Sequence, residues 1–490
     1  MKTSNSHLDR LFNPKTVALI GASGMPGKIG STTLFCMTAG GYTGKIYPVN
    51  PKEKEILGLT TYDKVSNIPE KVDVAIICVT APLVPQVVEE CAQAGVEYGV
   101  IISAGFGEVD QKGIDVQKNI VALAREKGMR LVGPNCMGIG SSSCRLFATI
   151  NFTIPLPGNV SIVSQSGTLA TVFALGGSAE GVGFSKYVSS GNEADLHTED
   201  FIKYYAHDPD THAVVAFIEG VRDGDEFFKA ARELTKNKPF VVLKGGASEA
   251  GAKAANSHTG SLAGSYKVFD SMCTQTGIVN VPGAKEAIDV VKGFSLLPLP
   301  KGRKVAVVSA QGGLGVLMAD ACIRHGLELA TLTKQSCDDL DAFLPYFWSH
   351  SNPVDVTGGT TDLRDITRSL EVLLRQDDID STICLAPTFS SLFEPIASRL
   401  TDEARKTFET MAVWVIDETE KAFARDLIEL REKYNKPIVG VSLLTCHESE
   451  MVKMLEGNGV PIYDTPDQIA YVLSKLADYR EYRDNNGHSV

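Results

Sequence analysis

The sequence predicts an α/β protein in which parallel β-sheets are covered by helices on both faces. Short β-branched runs alternate with amphipathic stretches along the 490-residue chain, as in successive βαβ units. The composition, 43% hydrophobic and 22% charged, is ordinary for a globular protein and disfavours a disordered or fibrous chain. At roughly 100–200 residues per domain, the length suggests about three domains.

The predicted strands are apolar runs that mostly lead into glycine, serine or asparagine. They cover residues 16–20, 45–49, 74–79, 99–102, 131–132, 160–163, 186–189, 214–218, 240–243, 305–308, 382–385, 412–416, 437–441 and 461–463. Helical periodicity lies between most of them, for example at 83–94, 116–127, 226–236, 266–276, 284–296 and 466–479.

Two proline-rich joints, at residues 154–158 and 297–302, predict domains at 1–153, 154–299 and 300–490. A weak internal repeat supports this division. Residues 17–31, 160–174 and 305–322 each read as a strand, a small polar turn with glycine, and an apolar segment. Each turn would present backbone amides at a helix N-terminus, a geometry suited to anions.

Charge and cysteine usage exclude several classes of function. Lys and Arg number 47 against 59 Asp and Glu, a net charge of −12 that disfavours a general nucleic-acid surface. The ten cysteines are scattered without a CxxC pair, so a disulfide framework or a zinc site is not expected. No apolar run approaches the ~18 residues that span a bilayer. No secretory signal is visible, and we expect a cytoplasmic protein.

The glycine-rich loop at residues 21–30 reads GASGMPGKIG and departs from the GxGxxG dinucleotide fingerprint. After the second strand, where that fingerprint expects an acidic residue for the ribose diol, the chain has Asn50, Pro51 and Lys52. A lysine there suits a ribose phosphate, which both NADP and coenzyme A carry. The residues disfavour NAD and leave those two ligands open.

Further turns follow predicted strands, where ligands of open α/β sheets bind. They are residues 79–82 (VTAP), 102–106 (ISAGF) and 133–138 (GPNCMG). Asn135 in the last turn could hydrogen bond a ligand amide.

One of the nine histidines, His258, lies in a stretch of small residues, 254–264. Small residues let a loop approach a ligand closely and supply little packing, which disfavours a core role. A nucleophilic imidazole that accepts a phosphoryl group needs such access, together with a carboxylate that orients its other nitrogen. A solvated loop histidine remains the alternative.

Polar residues at other strand ends complete the candidate site. Glu219 ends a strongly apolar strand and either caps a helix or points into the site, the second being favoured. Glu193 and Asp195 are weaker candidates of the same kind. Ser166 and Gly167 begin the helix after the strand at 160–163 and could direct its positive end at a phosphoryl group.

Taken in order, these motifs resemble the nucleoside-diphosphate-forming acyl-CoA synthetase superfamily, which includes succinyl-CoA synthetase and ADP-forming acetyl-CoA synthetase. The matching segments span about residues 10–470, and SHTGS around His258 is the most specific. They are residues 21–30 (GASGMPGKIG), 49–52 (VNPK), 133–138 (GPNCMG), 164–169 (SQSGTL), 217–220 (FIEG), 257–264 (SHTGSLAG) and 352–358 (NPVDVTG).

The resemblance implies a Rossmann-like coenzyme A-binding domain followed by two flavodoxin-like domains. It implies that His258 carries a phosphoryl group taken from an acyl phosphate, that Glu219 orients it, and that Ser166, Gly167 and Gly260 bind phosphate. The implied coenzyme A site comprises Gly21, Ala22, Ser23, Gly27, Lys28, Ile29, Gly30, Val49, Asn50, Pro51, Lys52, Val79, Thr80, Ala81, Pro82, Ser103 and Asn135.

The family's nucleotide site is an ATP-grasp module, for which this sequence shows no room or signal. The resemblance therefore implies an α-type subunit whose separate β-type partner supplies the ATP-grasp module, binds ATP or ADP, and holds Mg²⁺. An α–α dimer within a hetero-oligomer is implied by analogy. The turn at residues 311–315 could be a second docking point for the phosphohistidine loop, or a plain helix start.

Two other functions remain open. A coenzyme A-binding sensor or scaffold could use the same domains without catalysis, although it would need neither His258, Glu219 nor Ser166. An NADP oxidoreductase would rest on the first domain alone. The acid is not defined, although residues 146–152 and the region near Phe184 are candidates for its pocket.

Overall fold

The computed structural model describes residues 8–251, 253, 265–356, 363–385, 396–408, 414–442 and 449–488, without the side chains of 414–417. The chain divides into two compact units, residues 1–291 (unit 1) and residues 292–490 (unit 2).

The first part of unit 1 is a five-stranded parallel sheet in the order β2-β1-β5-β6-β7, with a small antiparallel β3–β4 hairpin. The strands are β1 (Thr16–Ile20), β2 (Lys45–Val49), β3 (Glu55–Ile56), β4 (Leu59–Thr60), β5 (Val74–Ile77), β6 (Tyr98–Ile101) and β7 (Arg130–Val132). The helices are α1 (Asp9–Phe12), α2 (Ile29–Ala39), α3 (Val84–Gln93) and α4 (Gln111–Glu126).

The second part of unit 1 is a seven-stranded sheet in the order β14-β13-β12-β10-β11-β8-β9. Its strands are β8 (Gly138–Ser141), β9 (Leu146–Thr149), β10 (Pro157–Ser164), β11 (Phe184–Ser189), β12 (Ala213–Ile218), β13 (Phe240–Lys244) and β14 (Val279–Val281). Its helices are α5 (Gly167–Thr171), a π-helical turn (Val172–Gly176), α6 (Gly177–Ala179), α7 (Thr198–His207), α8 (Gly224–Thr235), α9 (Tyr266–Thr276) and α10 (Ala284–Leu296), the last running across the unit boundary.

Unit 2 contains a parallel sheet in the order β16-β15-β18-β19-β20, with β17 beside the end of β15. Its strands are β15 (Lys304–Ser309), β16 (Glu328–Leu329), β17 (Val354–Asp355), β18 (Ser381–Leu385), β19 (Ile438–Val441) and β20 (Ile462–Tyr463). Its helices are α11 (Gly312–Arg324), α12 (Lys334–Asp341), α13 (Arg364–Arg375), α14 (Asp402–Phe408), α15 (Trp414–Lys433), α16 (Glu450–Gly457) and α17 (Pro466–Asn485).

These sheets confirm the predicted α/β class, although individual strands differ from the prediction. Residues 414–416, predicted as part of a strand at 412–416, begin helix α15, and 412–413 lie outside the described residues. A short apolar run has no clear periodicity, so it does not distinguish a strand from a helix. The antiparallel strands β8 and β9, which extend the second sheet, were not predicted as strands.

Each large sheet has one point where strand order reverses. The chain moves from β1 to β2 on one side and then to β5 on the other; β10 and β15 occupy the same place in their sheets. Ligands of open α/β sheets bind at the carboxyl ends of strands at such points. The topology therefore directs attention to the turns that follow β1, β10 and β15.

Candidate functional site

The loop after β1 brings the backbone close to its neighbours at two glycines. Gly21 has φ +87°, and a Cβ there would lie 2.7 Å from the carbonyl oxygen of Cys78. A Cβ at Gly30, in the first turn of α2, would lie 2.0 Å from the carbonyl oxygen of Gly21. Neither distance is tolerated by a real side chain. The loop therefore needs glycine at both positions.

Asn50 and Glu53 tie this loop to the turn after β2. The Asn50 side-chain amide donates to the carbonyl oxygen of Ala22 at 2.8 Å and to Glu53 Oε1 at 3.2 Å. The backbone amide of Gly24 donates to Glu53 Oε2 at 3.2 Å, and that of Lys52 to Asn50 Oδ1 at 2.8 Å. The side chain of Asn50 thus shapes the site through protein contacts.

The two loops enclose a cavity of about 690 Å³. Twelve of the predicted coenzyme A residues line it: Gly21, Ala22, Ser23, Gly27, Lys28, Ile29, Gly30, Val49, Asn50, Pro51, Lys52 and Val79. The other lining residues are Ile20, Asp63, Lys64, Val65, Cys78, Leu83, Gln86, Val87 and Glu90.

Three exposed lysines, Lys28, Lys52 and Lys64, stand around the cavity. None of them forms an ion pair with a residue that the structure describes, so their ammonium groups are available to an anion. Lys28 is also the N-cap residue of α2, at the positive end of the helix dipole. Lys64 was not predicted; it lies between β4 and β5, at the start of a short 3-10 helix (Val65–Asn67), and no motif marks it.

The remaining predicted coenzyme A residues lie outside the cavity lining. Thr80 and the short 3-10 helix Ala81–Leu83, which includes Pro82, follow directly after Val79. The Ser103 hydroxyl donates to the carbonyl oxygen of Val79. The Asn135 side-chain amide donates to Asn192 Oδ1 at 3.2 Å.

Asn192 continues this contact into the first sheet, because its amide donates to Glu108 Oε2 at 2.5 Å and to Gln117 Oε1 at 3.1 Å. Burial opposes ionisation of Glu108, but hydrogen bonds from the Gly105 amide and from Asn192 outweigh it and lower the pKa of the carboxyl. The two parts of unit 1 are therefore joined by hydrogen bonds to a carboxylate.

A second group of polar residues lies at the carboxyl ends of β10 and β12. Ser166 is the N-cap of α5, and its hydroxyl accepts a hydrogen bond from the Leu169 amide at 3.4 Å. Gly167, the next residue, packs closely against Met137: a Cβ at this position would lie 2.3 Å from Met137 Cγ. Ser166 and Gly167 do begin a helix, as the sequence predicts, and that helix continues into a π-helical turn, a feature frequent at functional sites.

Gln165 connects this helix start to Glu219. Its Oε1 accepts from the backbone amides of Glu219 at 2.6 Å and Gly220 at 3.0 Å. Its Nε2 donates to the carbonyl oxygen of Gly220 at 2.7 Å and to Glu193 Oε2 at 3.0 Å. Gln165 was not among the predicted site residues, although it lies within the SQSGTL motif at residues 164–169, which is the signal that marks it.

Lys244, at the end of β13, is a second residue that the sequence reasoning missed. It is buried, and its ammonium group donates to the carbonyl oxygens of Glu219, at 2.7 Å, and Gly245. Burial lowers the pKa of Lys244, with partial compensation from the Glu219 carboxylate. A lysine that ends an apolar strand is the signal that marks it.

Asp195, a weak site candidate in the sequence, instead holds the two parts of unit 1 together. Its buried carboxylate accepts from Arg125 Nε at 2.6 Å, Arg130 Nε at 2.9 Å and the Leu131 amide at 2.7 Å. A carboxylate with these three donors is fully used. Asp195 therefore helps to fix the cavity after β1 relative to the residues around Gln165.

His258 and Gly260 lie outside the described residues. In the sequence they fall between strand β13 and helix α9. Within the described ranges, no group of three or more His, Cys, Asp or Glu side chains could hold a metal ion. A search of the same residues also finds no helix long and apolar enough to cross a membrane.

Three protein-family models match the chain. Residues 15–142 match a CoA binding domain, residues 157–294 a succinyl-CoA ligase like flavodoxin domain, and residues 305–403 a Ligase-CoA domain. Together they cover both polar sites of unit 1 and the first half of unit 2.

A solved structure of similar fold is an acetyl-coenzyme A synthetase of Ca. Korarchaeum cryptofilum in complex with phosphate and ADP. It is 33% identical, with a TM-score of 0.86 and 98% of each chain covered. A curated relative, acetate–CoA ligase [ADP-forming] I of Archaeoglobus fulgidus, is 41% identical over 78% of this chain but only 55% of its own length.

Two curated relatives from Pyrococcus furiosus are α-subunits. Acetate–CoA ligase [ADP-forming] II subunit alpha is 37% identical over 94% of this chain and 96% of its own length. The isoenzyme I subunit alpha is 38% identical over 97% and 98%. These matches confirm the resemblance that the motifs indicated. The chain therefore belongs to the family of ADP-forming acetate–CoA ligases and corresponds to their α-subunits.

Proposed function

We propose that this chain is the coenzyme A- and acyl-binding subunit of an ADP-forming acid–CoA ligase. The observation that carries the proposal is the match to two α-subunits over nearly their full length. The enzyme would interconvert carboxylic acid, coenzyme A and ATP with acyl-CoA, ADP and phosphate.

Coenzyme A would bind in the cavity after β1. Its pyrophosphate and ribose phosphate need cations and backbone amides, which Lys28, Lys52, Lys64 and the glycine loop supply. The turn at Thr80, Ala81 and Pro82 would bound the ligand beyond Val79. Ser103 and Asn135 would act through the protein contacts that shape these loops.

The acyl group would leave coenzyme A at the second polar site. An oxygen of inorganic phosphate attacks the thioester carbonyl, the C–S bond breaks, and the thiol leaves with a proton from the phosphate. A ring nitrogen of His258 then attacks the phosphorus of the acyl phosphate, and the bond between phosphorus and the acyl oxygen breaks. The products are a free carboxylate and phospho-His258.

Each remaining residue has a role that its chemistry suits. Glu219 would accept a hydrogen bond from the other imidazole nitrogen and so fix the tautomer of His258. Ser166, Gly167 and Gly260 would place backbone amides and a hydroxyl at the phosphoryl oxygens, where positioning and charge stabilisation supply most of the catalysis.

The nucleotide step would belong to a β-type partner with an ATP-grasp module. Two relatives that match over nearly their full length are named α-subunits, which supports a separate partner chain. The Archaeoglobus fulgidus relative is named without a subunit, and the match to this chain covers only 55% of its length, which leaves room for a further module in the same chain. The partner would bind ADP or ATP together with Mg²⁺. An α–α dimer within the hetero-oligomer completes the proposal.

The test is phosphorylation of His258 from the acyl-CoA side. The purified chain is incubated with acetyl-CoA and radiolabelled phosphate. Acetyl-CoA is chosen because the two relatives that match over nearly their full length are named acetate–CoA ligases. We expect an acid-labile, base-stable label that is lost in His258→Ala. An unlabelled wild-type chain, or equal labelling of the variant, would contradict the proposal.

Ligand binding is tested separately by thermal shift. Coenzyme A at 100 times its dissociation constant adds about 2.7 kcal/mol to stability. We expect this shift for coenzyme A, a smaller one in Lys52→Ala and Lys64→Ala, and none with NADP. Lys71→Ala is the matched control, because Lys71 is an exposed lysine outside the cavity lining. Coenzyme A binding without labelling, even with a candidate ATP-grasp partner, would instead favour a non-catalytic sensor.

A further inference from the structure

A buried carboxylate that the proposed mechanism does not use lies beside the second polar site. We propose that Glu193 is a positioning residue for phosphoryl transfer, which it serves by fixing the orientation of the Gln165 amide. This inference rests on the proposed function of the site.

Glu193 occupies a costly position. Its exposed fraction is 3%, and its backbone has a left-handed φ of +52°. The carboxylate forms no ion pair with a described residue. It accepts from the hydroxyls of Ser190 at 2.7 Å and Thr198 at 2.6 Å, and from Gln165 Nε2 at 3.0 Å. Burying a charge without a cation is expensive, and strained backbone of this kind persists where the surroundings impose it, often at functional sites.

The carboxylate acts together with the backbone of Glu219 and Gly220 to set which way the Gln165 amide faces. Burial raises the pKa of Glu193, and hydrogen bonds from the Thr198 and Ser190 hydroxyls partly oppose this. The ionised carboxylate only accepts hydrogen bonds, so the Nε2 group of Gln165 faces it. Its Oε1 must then face the backbone amides of Glu219 and Gly220, which only donate. In the reverse orientation, the Gln165 oxygen would face the Glu193 carboxylate, and the Gln165 NH₂ group would face the backbone amides of Glu219 and Gly220.

This orientation couples the two sides of the candidate site. Gln165 directly precedes Ser166, the N-cap of α5, and its side chain holds the peptide of Glu219 on the neighbouring strand. The distance between the amides at the start of α5 and the Glu219 carboxylate therefore depends on this side-chain amide, in addition to the backbone pairing of β10 with β12 and the Lys244 hydrogen bond. A displacement of about 1 Å in such a site can cost ~100-fold in rate.

A reciprocal exchange tests the donor and acceptor order. Glu193→Gln keeps the size of the side chain. Its carbonyl can still accept from Ser190 and Thr198, but its NH₂ then faces the NH₂ of Gln165. Gln165→Glu places two carboxylates against each other. The double variant restores a donor opposite an acceptor between positions 165 and 193, although its carboxylate at position 165 then faces the carbonyl oxygen of Gly220 without a donor between them.

The readout is the rate of His258 labelling from acetyl-CoA and phosphate, measured with the KM for acetyl-CoA at a temperature where every variant is folded. We expect each single variant to lose about 100-fold in rate with little change in KM, by the cost of a ~1 Å displacement. The double variant recovers most of that loss.

Asp208→Asn is the matched control for simple destabilisation. Asp208 is a buried carboxylate of the same sheet region, at the amino-terminal end, where it pairs with buried Lys186. We expect it to lower thermal stability and to leave the labelling rate of the folded protein unchanged.

The outcomes separate this inference from the proposed function. An unlabelled wild-type chain contradicts the function itself. A labelled wild-type chain with an equally fast Glu193→Gln, or single losses that the double variant does not recover, overturns the role of Glu193 alone. If Glu193→Gln does not fold, the comparison of Gln165→Glu with the double variant decides in the same way.

Discussion

Residues 164–167 of unit 1 and residues 309–312 of unit 2 form the same backbone turn with different side chains. In both, a buried serine ends the strand at the point where strand order reverses, and its hydroxyl donates to the carbonyl oxygen two residues later. The distances are 2.6 Å from Ser164 to Ser166 and 2.7 Å from Ser309 to Gln311. A helix begins at the next residue, Gly167 or Gly312.

The side chains around the two turns differ in every position that could serve a ligand. Unit 1 has Gln165, bonded to Glu193 and the Glu219 peptide, where unit 2 has Ala310. Ser166 caps its helix, whereas Gln311 makes no side-chain cap. The Asp355 carboxylate lies close to the helix start in unit 2, since Oδ2 is 2.8 Å from where a Gly312 Cβ would be.

The comparison shows that the repeated turn is a structural device on which chemistry is added separately. The hydroxyl-to-carbonyl bond stabilises a sharp turn in both units. The polar residues that suit phosphoryl transfer occur in unit 1, while unit 2 places a carboxylate of its own near the helix N-terminus. A second docking point for the phosphohistidine loop at residues 311–315 stays a prediction, and this carboxylate argues against it.

Gln165→Ala, which gives unit 1 the residue that unit 2 has, should produce the largest effect. Four hydrogen bonds are lost, and the Glu219 peptide is no longer held against α5. We expect the rate of His258 labelling to fall by about 100-fold, the cost of a ~1 Å displacement. Gln311→Ala in unit 2, the same substitution at the position that corresponds to Ser166, is the control and should label at the wild-type rate. Equal rates for the two variants would contradict a functional difference between the turns.

Ser164→Ala and Ser309→Ala test what the turns share. Each removes a buried hydroxyl that satisfies a carbonyl, and Ser309 also accepts from the Gln311 amide at 2.8 Å. We expect each variant to lose about 1 kcal/mol of unfolding free energy, the net contribution of one hydrogen bond, because the carbonyl oxygens of Ser166 and Gln311 keep the backbone amides of their helices as donors. Urea denaturation measures this loss, with Ser309→Ala the more costly of the two. A loss confined to one unit would mean that the turns are not equivalent.

Ser166→Ala tests the cap that only unit 1 has. The Leu169 amide loses its side-chain acceptor while the amides of the first helical turn stay in place. We expect a loss of about 1 kcal/mol in unfolding free energy, typical of an N-cap serine. The labelling rate should fall less than in Gln165→Ala. An unchanged stability would show that the 3.4 Å hydrogen bond contributes nothing to the helix start.

The parts of the fold that could be predicted from the sequence are those set by the local pattern of residue types. Strand β1 (Thr16–Ile20) coincides with its predicted bounds because it is a short β-branched apolar run that ends at a glycine, and helix α10 (Ala284–Leu296) because its apolar residues recur at helical spacing. Strand β8 (Gly138–Ser141) was missed because glycine and serine give no β signal, and its pairing with β11 comes from tertiary structure.

The site divides in the same way. The glycines of the loop after β1 and Lys52 could be predicted as site residues because their residue type and their position after a strand are both visible in the sequence. Hydrogen-bond partners of Asn50, Ser103 and Asp195 lie from 24 to 70 positions away in the sequence. Sequence gives the residue type at a strand end but not whether a protein group or a ligand is its partner.

Asp355→Asn should produce the smallest effect and sharpens the comparison from the unit 2 side. A carboxylate near a helix N-terminus stabilises the helix by about 0.3–1 kcal/mol, so the neutral amide should lower the unfolding free energy by roughly 0.5 kcal/mol. Catalysis should not change if unit 2 takes no part in phosphate binding. Urea denaturation at low ionic strength and His258 labelling are measured on the same preparation. A rise in labelling rate would mean that the Asp355 charge restrains a phosphoryl group visiting unit 2, and would restore the second docking point.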